Sequence, residues 1–139
     1  MIAYVDSSVL LRLVLGQPPV LREWGSIETA VSSALVEVEC LRTLDRLRLR
    51  TALPDAELAV RRQAVFEVLR TFHTVDVGRP VLARAALPLP TALGTLDAIH
   101  LATAMLWREH ERTDIAMATH DDGLATAARA SGLRVIGSG

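Results

Sequence analysis

The sequence has no lysine and no asparagine, and all fifteen of its basic side chains are arginine. A Walker-type phosphate loop needs its lysine, a receiver domain needs one beside its acidic pocket, and Schiff-base chemistry needs the amine. The absence removes all three classes. Cys40 is the single cysteine, so the chain can form neither an intrachain disulfide nor a cysteine cluster for zinc or iron–sulfur chemistry. It reads as a small apolar residue on a helix. No window approaches the roughly 20 apolar residues of a membrane span, because arginines interrupt every candidate, and the N-terminus carries no basic stretch leading into a hydrophobic one. The expected location is the cytoplasm, with no membrane partner. A net charge of −1 is not the basic excess common among nucleic-acid-binding domains, and it does not exclude such a partner.

What is present is largely apolar. Half of the 139 residues are hydrophobic, enough for one core, and no linker or internal repeat divides the chain, so residues 1–139 read as one domain. "IAYV" (2–5) reads as a short buried strand, and "SSVLLRLVLG" as a helix stopped by Gly16 and the Pro18–Pro19 pair. "VLREW" (20–24) suggests a further helical turn, residues 27–31 a second strand, and Ser32 or Ser33 a cap for the helix "ALVEVECLRTLDRLRLR". Pro54 opens another helix, "FHTVDV" reads as a third strand and "RPVLARAAL" as a helix. "TLDAIHLATAMLWREHE" follows as a helix capped by Thr95, then the strand "IAMAT", a helix from Asp121 closed by Gly132, and the strand "LRVI". Apolar strands separated by helices predict an α/β fold of three layers, with a parallel sheet covered on both faces.

Four acidic positions gain meaning in that frame. Asp6 ends the first strand and opens the first helix, at the carboxyl edge where doubly wound sheets bind ligands. A lone aspartate there is ordinarily an N-cap. Asp97, however, stands in the first turn of its helix, where the dipole favours a carboxylate, and Asp121 and Asp122 directly follow the strand "IAMAT". Glu37 and Glu39 lie in the helix after the second strand. At about 100° per residue they point about 200° apart, so only one can face the edge. Carboxylates gathered without histidine or cysteine ligands repel one another unless a cation sits among them. An all-oxygen set suits Mg²⁺ or Mn²⁺, and such a centre performs metal-assisted phosphodiester hydrolysis.

The blocks "YVDSSVL", "SSALVEVECLR", "LDAIHLATA" and "ATHDDGLATAARASGLRVI", in this order over essentially the whole chain, resemble the PIN domain, and more closely the VapC-type ribonuclease toxins of bacterial toxin–antitoxin pairs. The resemblance implies a PIN-like three-layer fold with a five-stranded parallel sheet and Mg²⁺- or Mn²⁺-dependent cleavage of RNA. It also implies a homodimer and a cognate VapB-like antitoxin. Matched block by block, it assigns the acids to Asp6, Glu39 (over Glu37), Asp97 and Asp121, with Ser8 beside the metal and Thr119 as a hydroxyl behind the ligands. Asp122 beside Asp121 leaves the fourth position open between the two, and His120 departs from the family pattern.

Rival readings are a phosphatase of the haloacid-dehalogenase type and a PIN-like binding module without turnover. The first wants an acid at position 8, which is serine, and a lysine. His100, one turn after Asp97, reads as a scaffold residue, and His73 and His110 as surface or strand-edge residues. The arginines at 42, 46, 48 and 50 do not share one helical face and read as a solvated surface. Trp24 and Trp107 read as packing residues. The apolar breadth of helices 34–49 and 54–70 predicts a covering partner, a second subunit or the antitoxin.

Overall fold

A computed structural model describes residues 1–138. Five strands form one parallel sheet in the order β3-β2-β1-β4-β5: β1 (Ile2–Val5), β2 (Thr29–Ser33), β3 (His73–Val75), β4 (Ala116–Ala118) and β5 (Arg134–Ile136). Its helices are α1 (Ser7–Leu15), α2 (Leu35–Thr51), α3 (Asp55–Leu69), α4 (Arg79–Ala85), α5 (Thr95–Glu111) and α6 (Asp122–Ala130), with a 3₁₀ turn at Trp24–Ser26. This is the three-layer α/β/α arrangement with a five-stranded parallel sheet that the sequence predicts.

Two-residue periodicity sorts the strands between the layers. Tyr4, Val31 and Met117 pack on Leu101 and Ala104 of α5 and on Leu124, Ala127 and Ala128 of α6. On the other face Ala3, Val5, Ala116 and Ala118 meet Val9 of α1, with Trp24 and Phe72 at the margin. A third cluster joins Leu10 and Val14 of α1 to Val36, Cys40 and Leu44 of α2 and Val65 of α3. Burial pushes the Cys40 thiol up to about 12, so it stays a protonated, inert core residue. Helix α1 stops at Gly16, whose left-handed backbone (φ 65°) lets its N–H reach the Arg12 and Leu13 carbonyls.

Three local expectations need correction. The second strand runs Thr29–Ser33 rather than 27–31, because its register pairs Thr29 with Ile2 while Ile27 N–H still bonds to the Trp24 carbonyl in the preceding turn. That turn is correspondingly centred later than residues 20–24. Helix α5 is capped by Gly94 in extended conformation, and Thr95 is its first helical residue. Ser33 does receive the Leu35 N–H at 3.1 Å, although it belongs to the strand.

The strand order fixes where a site can form. Moving from β1 the chain winds one way through β2 and β3, then returns to place β4 on the opposite side of β1. The crevice at the carboxyl ends of β1 and β4 is therefore the switch point of the sheet. Asp6 follows one of these strands, and Thr119, His120 and Asp121 follow the other.

Candidate functional site

Asp6 is 3% exposed and both of its carboxylate oxygens are occupied. Oδ1 accepts from Ser8 Oγ at 2.6 Å and, as the N-cap of α1, from Val9 N–H at 3.2 Å. Oδ2 accepts from Thr119 Oγ1 at 2.6 Å. Each hydroxyl is itself held by the segment after β4: Ser8 Oγ accepts from His120 N–H at 2.9 Å and Thr119 Oγ1 from Asp121 N–H at 3.0 Å. With a lone pair of each hydroxyl taken by a backbone N–H, its proton is directed at the carboxylate. Burial raises the Asp6 pKa, while the bonds from Ser8, Thr119 and Val9 and the nearby His100 oppose that rise. Behind Thr119 the chain is crowded. A Cβ on Gly137, itself at φ +93°, would lie 2.8 Å from the Thr119 carbonyl oxygen, so only glycine fits.

Asp121 caps α6 through Oδ1, which accepts from Leu124 N–H at 2.8 Å. Asp122, the next residue, is exposed and takes the Ser138 hydroxyl at 3.1 Å instead. Asp97 stands in the first turn of α5, half-buried. Its pKa is raised, first by burial and then by Asp121, Asp6 and Glu39, with His100 opposing. Thus Asp97 lies within the field of all three other acids, and no arginine offsets it. Glu39, half-buried on α2, places Oε1 2.5 Å from His100 Nε2. Glu37 is exposed on another side of the helix, beside Phe66 and Arg70 of the α2–α3 pair.

The switch-point crevice thus sets Asp97 in the field of Asp6, Asp121 and Glu39, with Asp121 at its exposed rim, while Glu37 and Asp122 stand apart. Among the described residues, no three His, Cys, Asp or Glu side chains stand close enough to hold a metal ion as they are. The donor set nevertheless fits one: the ligands are hard carboxylate oxygens, and their mutual repulsion is what a divalent cation relieves. From the sequence His100 reads as a scaffold residue. Its bond to Glu39 joins it to the site, and the signal available in the sequence was its position one turn after Asp97 on the same helical face. His73 is exposed on the edge strand, and Trp24 packs against Phe72 as expected of a packing residue.

The family described as PIN domain matches residues 3–130. Ribonuclease VapC46 of Mycobacterium tuberculosis is 35% identical over 137 residues, covering 96% of this chain and 95% of that protein. FitAcB from Neisseria gonorrhoeae superposes with a TM-score of 0.68 at 20% identity, covering 97% of this chain and 96% of that one. A toxin–antitoxin complex from Klebsiella pneumoniae gives 0.65 at 20% identity, covering 91% and 89%. Both structures share the fold. Among the described residues no helix is long and apolar enough to cross a membrane.

Proposed function

The chain belongs to the PIN-domain family, and from that premise we propose that residues 1–139 form one domain acting as a metal-dependent endoribonuclease toxin, neutralised by a cognate VapB-like antitoxin. The observation that carries the chemistry is the placing of Asp6 and Asp121 at the ends of the neighbouring strands β1 and β4 with Asp97 and Glu39 beside them, where the Asp97 carboxyl is pushed up first by burial and then by Asp121, Asp6 and Glu39, with His100 opposing. Asp6, Asp97 and Asp121 would hold Mg²⁺ or Mn²⁺. Asp6 is held as an acceptor by its two hydroxyl donors, and Asp121 has Oδ2 outside its capping bond. Glu39 has Oε1 engaged by His100, which leaves Oε2 to bind the ion directly or through water and to orient the attacking water by accepting its proton. When bound, the ion polarises the phosphodiester and lowers the pKa of that water. No side chain forms a covalent intermediate. An RNA substrate places the reaction in the cytoplasm.

The named relatives support the remaining assignment, since one is a ribonuclease and another a toxin in complex with its antitoxin. The α2–α3 pair leaves Val38, Leu49 and Val60 57%, 72% and 63% exposed, apolar surface of the kind a second subunit or an antitoxin covers. The test is cleavage of total cellular RNA by the purified chain, freed of antitoxin, with Mg²⁺, Mn²⁺ or EDTA, beside Asp97→Asn. Discrete fragments that need metal and disappear in the variant are expected. No cleavage with either metal, or equal cleavage by the variant, would leave a binding module as the better reading.

A further inference from the structure

His100 is 1% exposed, and Tyr4, the β1 residue two positions before Asp6, is fully buried. Between them runs a chain of bonds that ends on Glu39. Tyr4 Oη lies 2.6 Å from His100 Nδ1, the rings meet edge to face at 5.7 Å, and His100 Nε2 reaches Glu39 Oε1 on α2 at 2.5 Å. A carboxylate only accepts, so Nε2 carries a proton and donates it to Glu39. Where the ring carries that one proton, Nδ1 is bare and the Tyr4 hydroxyl, kept protonated by burial, donates to it; a ring protonated on both nitrogens would instead donate to Tyr4 Oη as well. The opposite neutral tautomer would set the Nε2 lone pair against a carboxylate. Of the two neutral tautomers, the one that satisfies both contacts of the ring runs Tyr4 to His100 to Glu39.

Glu39 is a long side chain on a helix surface, with several rotamers of similar energy. Tying Oε1 to a buried ring removes that freedom. Because Asp97 and His100 are three residues apart on α5, the same ring also sets where the α2 carboxylate stands relative to the α5 carboxylate. We propose that Tyr4 and His100 form a positioning pair, in which the Tyr4 hydroxyl holds His100 in its Nε2–H tautomer and His100 clamps Glu39 Oε1, so that Oε2 is the oxygen presented to the metal and its water. The proposal rests on the nuclease reading for its consequence, but the tautomer is a property of the metal-free protein.

The tests are ¹⁵N NMR of the His100 ring without metal, Mn²⁺ affinity by calorimetry, and RNA cleavage, for wild type, Tyr4→Phe, His100→Gln and His100→Ala, each also in a Glu39→Ala background. The wild-type ring should be protonated at Nε2 alone, and Tyr4→Phe should lose that fixed state. Outer partners of metal ligands are worth roughly 10–100-fold in affinity or activity. Tyr4→Phe should therefore weaken Mn²⁺ binding and cleavage by about 10-fold at an unchanged circular dichroism spectrum, and His100→Ala by more. His100→Gln, which keeps an N–H donor, should recover part of the loss. In the Glu39→Ala background none of the three should cost anything further, because the pair acts only through Glu39. Losses that multiply in that background, or a wild-type ring protonated at Nδ1 alone or at both nitrogens, overturn the proposal. A wild-type chain that neither binds Mn²⁺ nor cleaves RNA overturns the nuclease reading with it.

Discussion

The two halves of the acidic crevice are built differently. Asp6 and Asp121 stand at strand ends, and each does structural work: both cap helices, and Asp6 collects donors from Ser8, Val9 and Thr119. Glu39 and Asp97 ride on helices. Glu39 has one partner, His100, and what acts on Asp97 is burial and the charge of its neighbours rather than any hydrogen bond. Asp6 therefore has both oxygens bonded in the folded chain, and Asp121 one. Asp97 has no such partners and stands at an electrostatic cost that a cation or a proton relieves.

This contrast can be tested from its strongest consequence downward. Both halves should matter equally to chemistry: Asp6→Asn and Asp97→Asn should each slow single-turnover RNA cleavage by more than about 100-fold, beyond the loss of an outer partner alone. Stability should separate them. Asp6→Ala removes a cap and strands two hydroxyl donors, costing about 2–3 kcal/mol in urea unfolding. Asp97→Asn should instead raise the metal-free Tm by a few degrees, and a fall would refute the claim of uncompensated repulsion. Thr119→Val, which deletes the donor to Asp6 Oδ2, should cost about 2 kcal/mol, and Ser8→Ala, at a less buried hydroxyl, less.

The pH dependence has a definite sign. Asp6 and Asp97 have folded-state pKa values raised above those of the unfolded chain, so in the interval between the two values the folded state holds protons that the unfolded state has lost. Their contribution to stability is fully present below the unfolded-state value and is lost as pH rises through the raised one. Metal-free Tm should accordingly show a downward component as pH rises above the ordinary carboxylate range of about 4, and Asp97→Asn should flatten it. At the bottom of the scale, Glu37→Gln and Asp122→Asn, both exposed, should change cleavage and stability by about twofold or less.

Much of this was legible in the chain. Asp6 and Asp121 could be located because a strand-to-helix junction is a local pattern, apolar run then acid then apolar run, and the parallel sheet follows from strands that are apolar throughout. Glu39 against Glu37 was open to periodicity, because apolar residues surround α2 on most sides; the family pattern chose Glu39, and the structure sets it beside His100. The cap of α5 was misplaced by one residue because glycine offers no side-chain signal to read.

The sequence by itself determined the sheet and the edge of that sheet where acids collect, since composition and strand–helix alternation are properties of neighbours along the chain. Tertiary structure alone decided which acid is satisfied and which is strained. It supplied the link from Thr119 to Asp6 across 113 positions and the chain from Tyr4 to His100 across 96. Those depend on β1 lying beside β4 and beneath α5, a juxtaposition that the packing of the whole core imposes and no local spacing encodes.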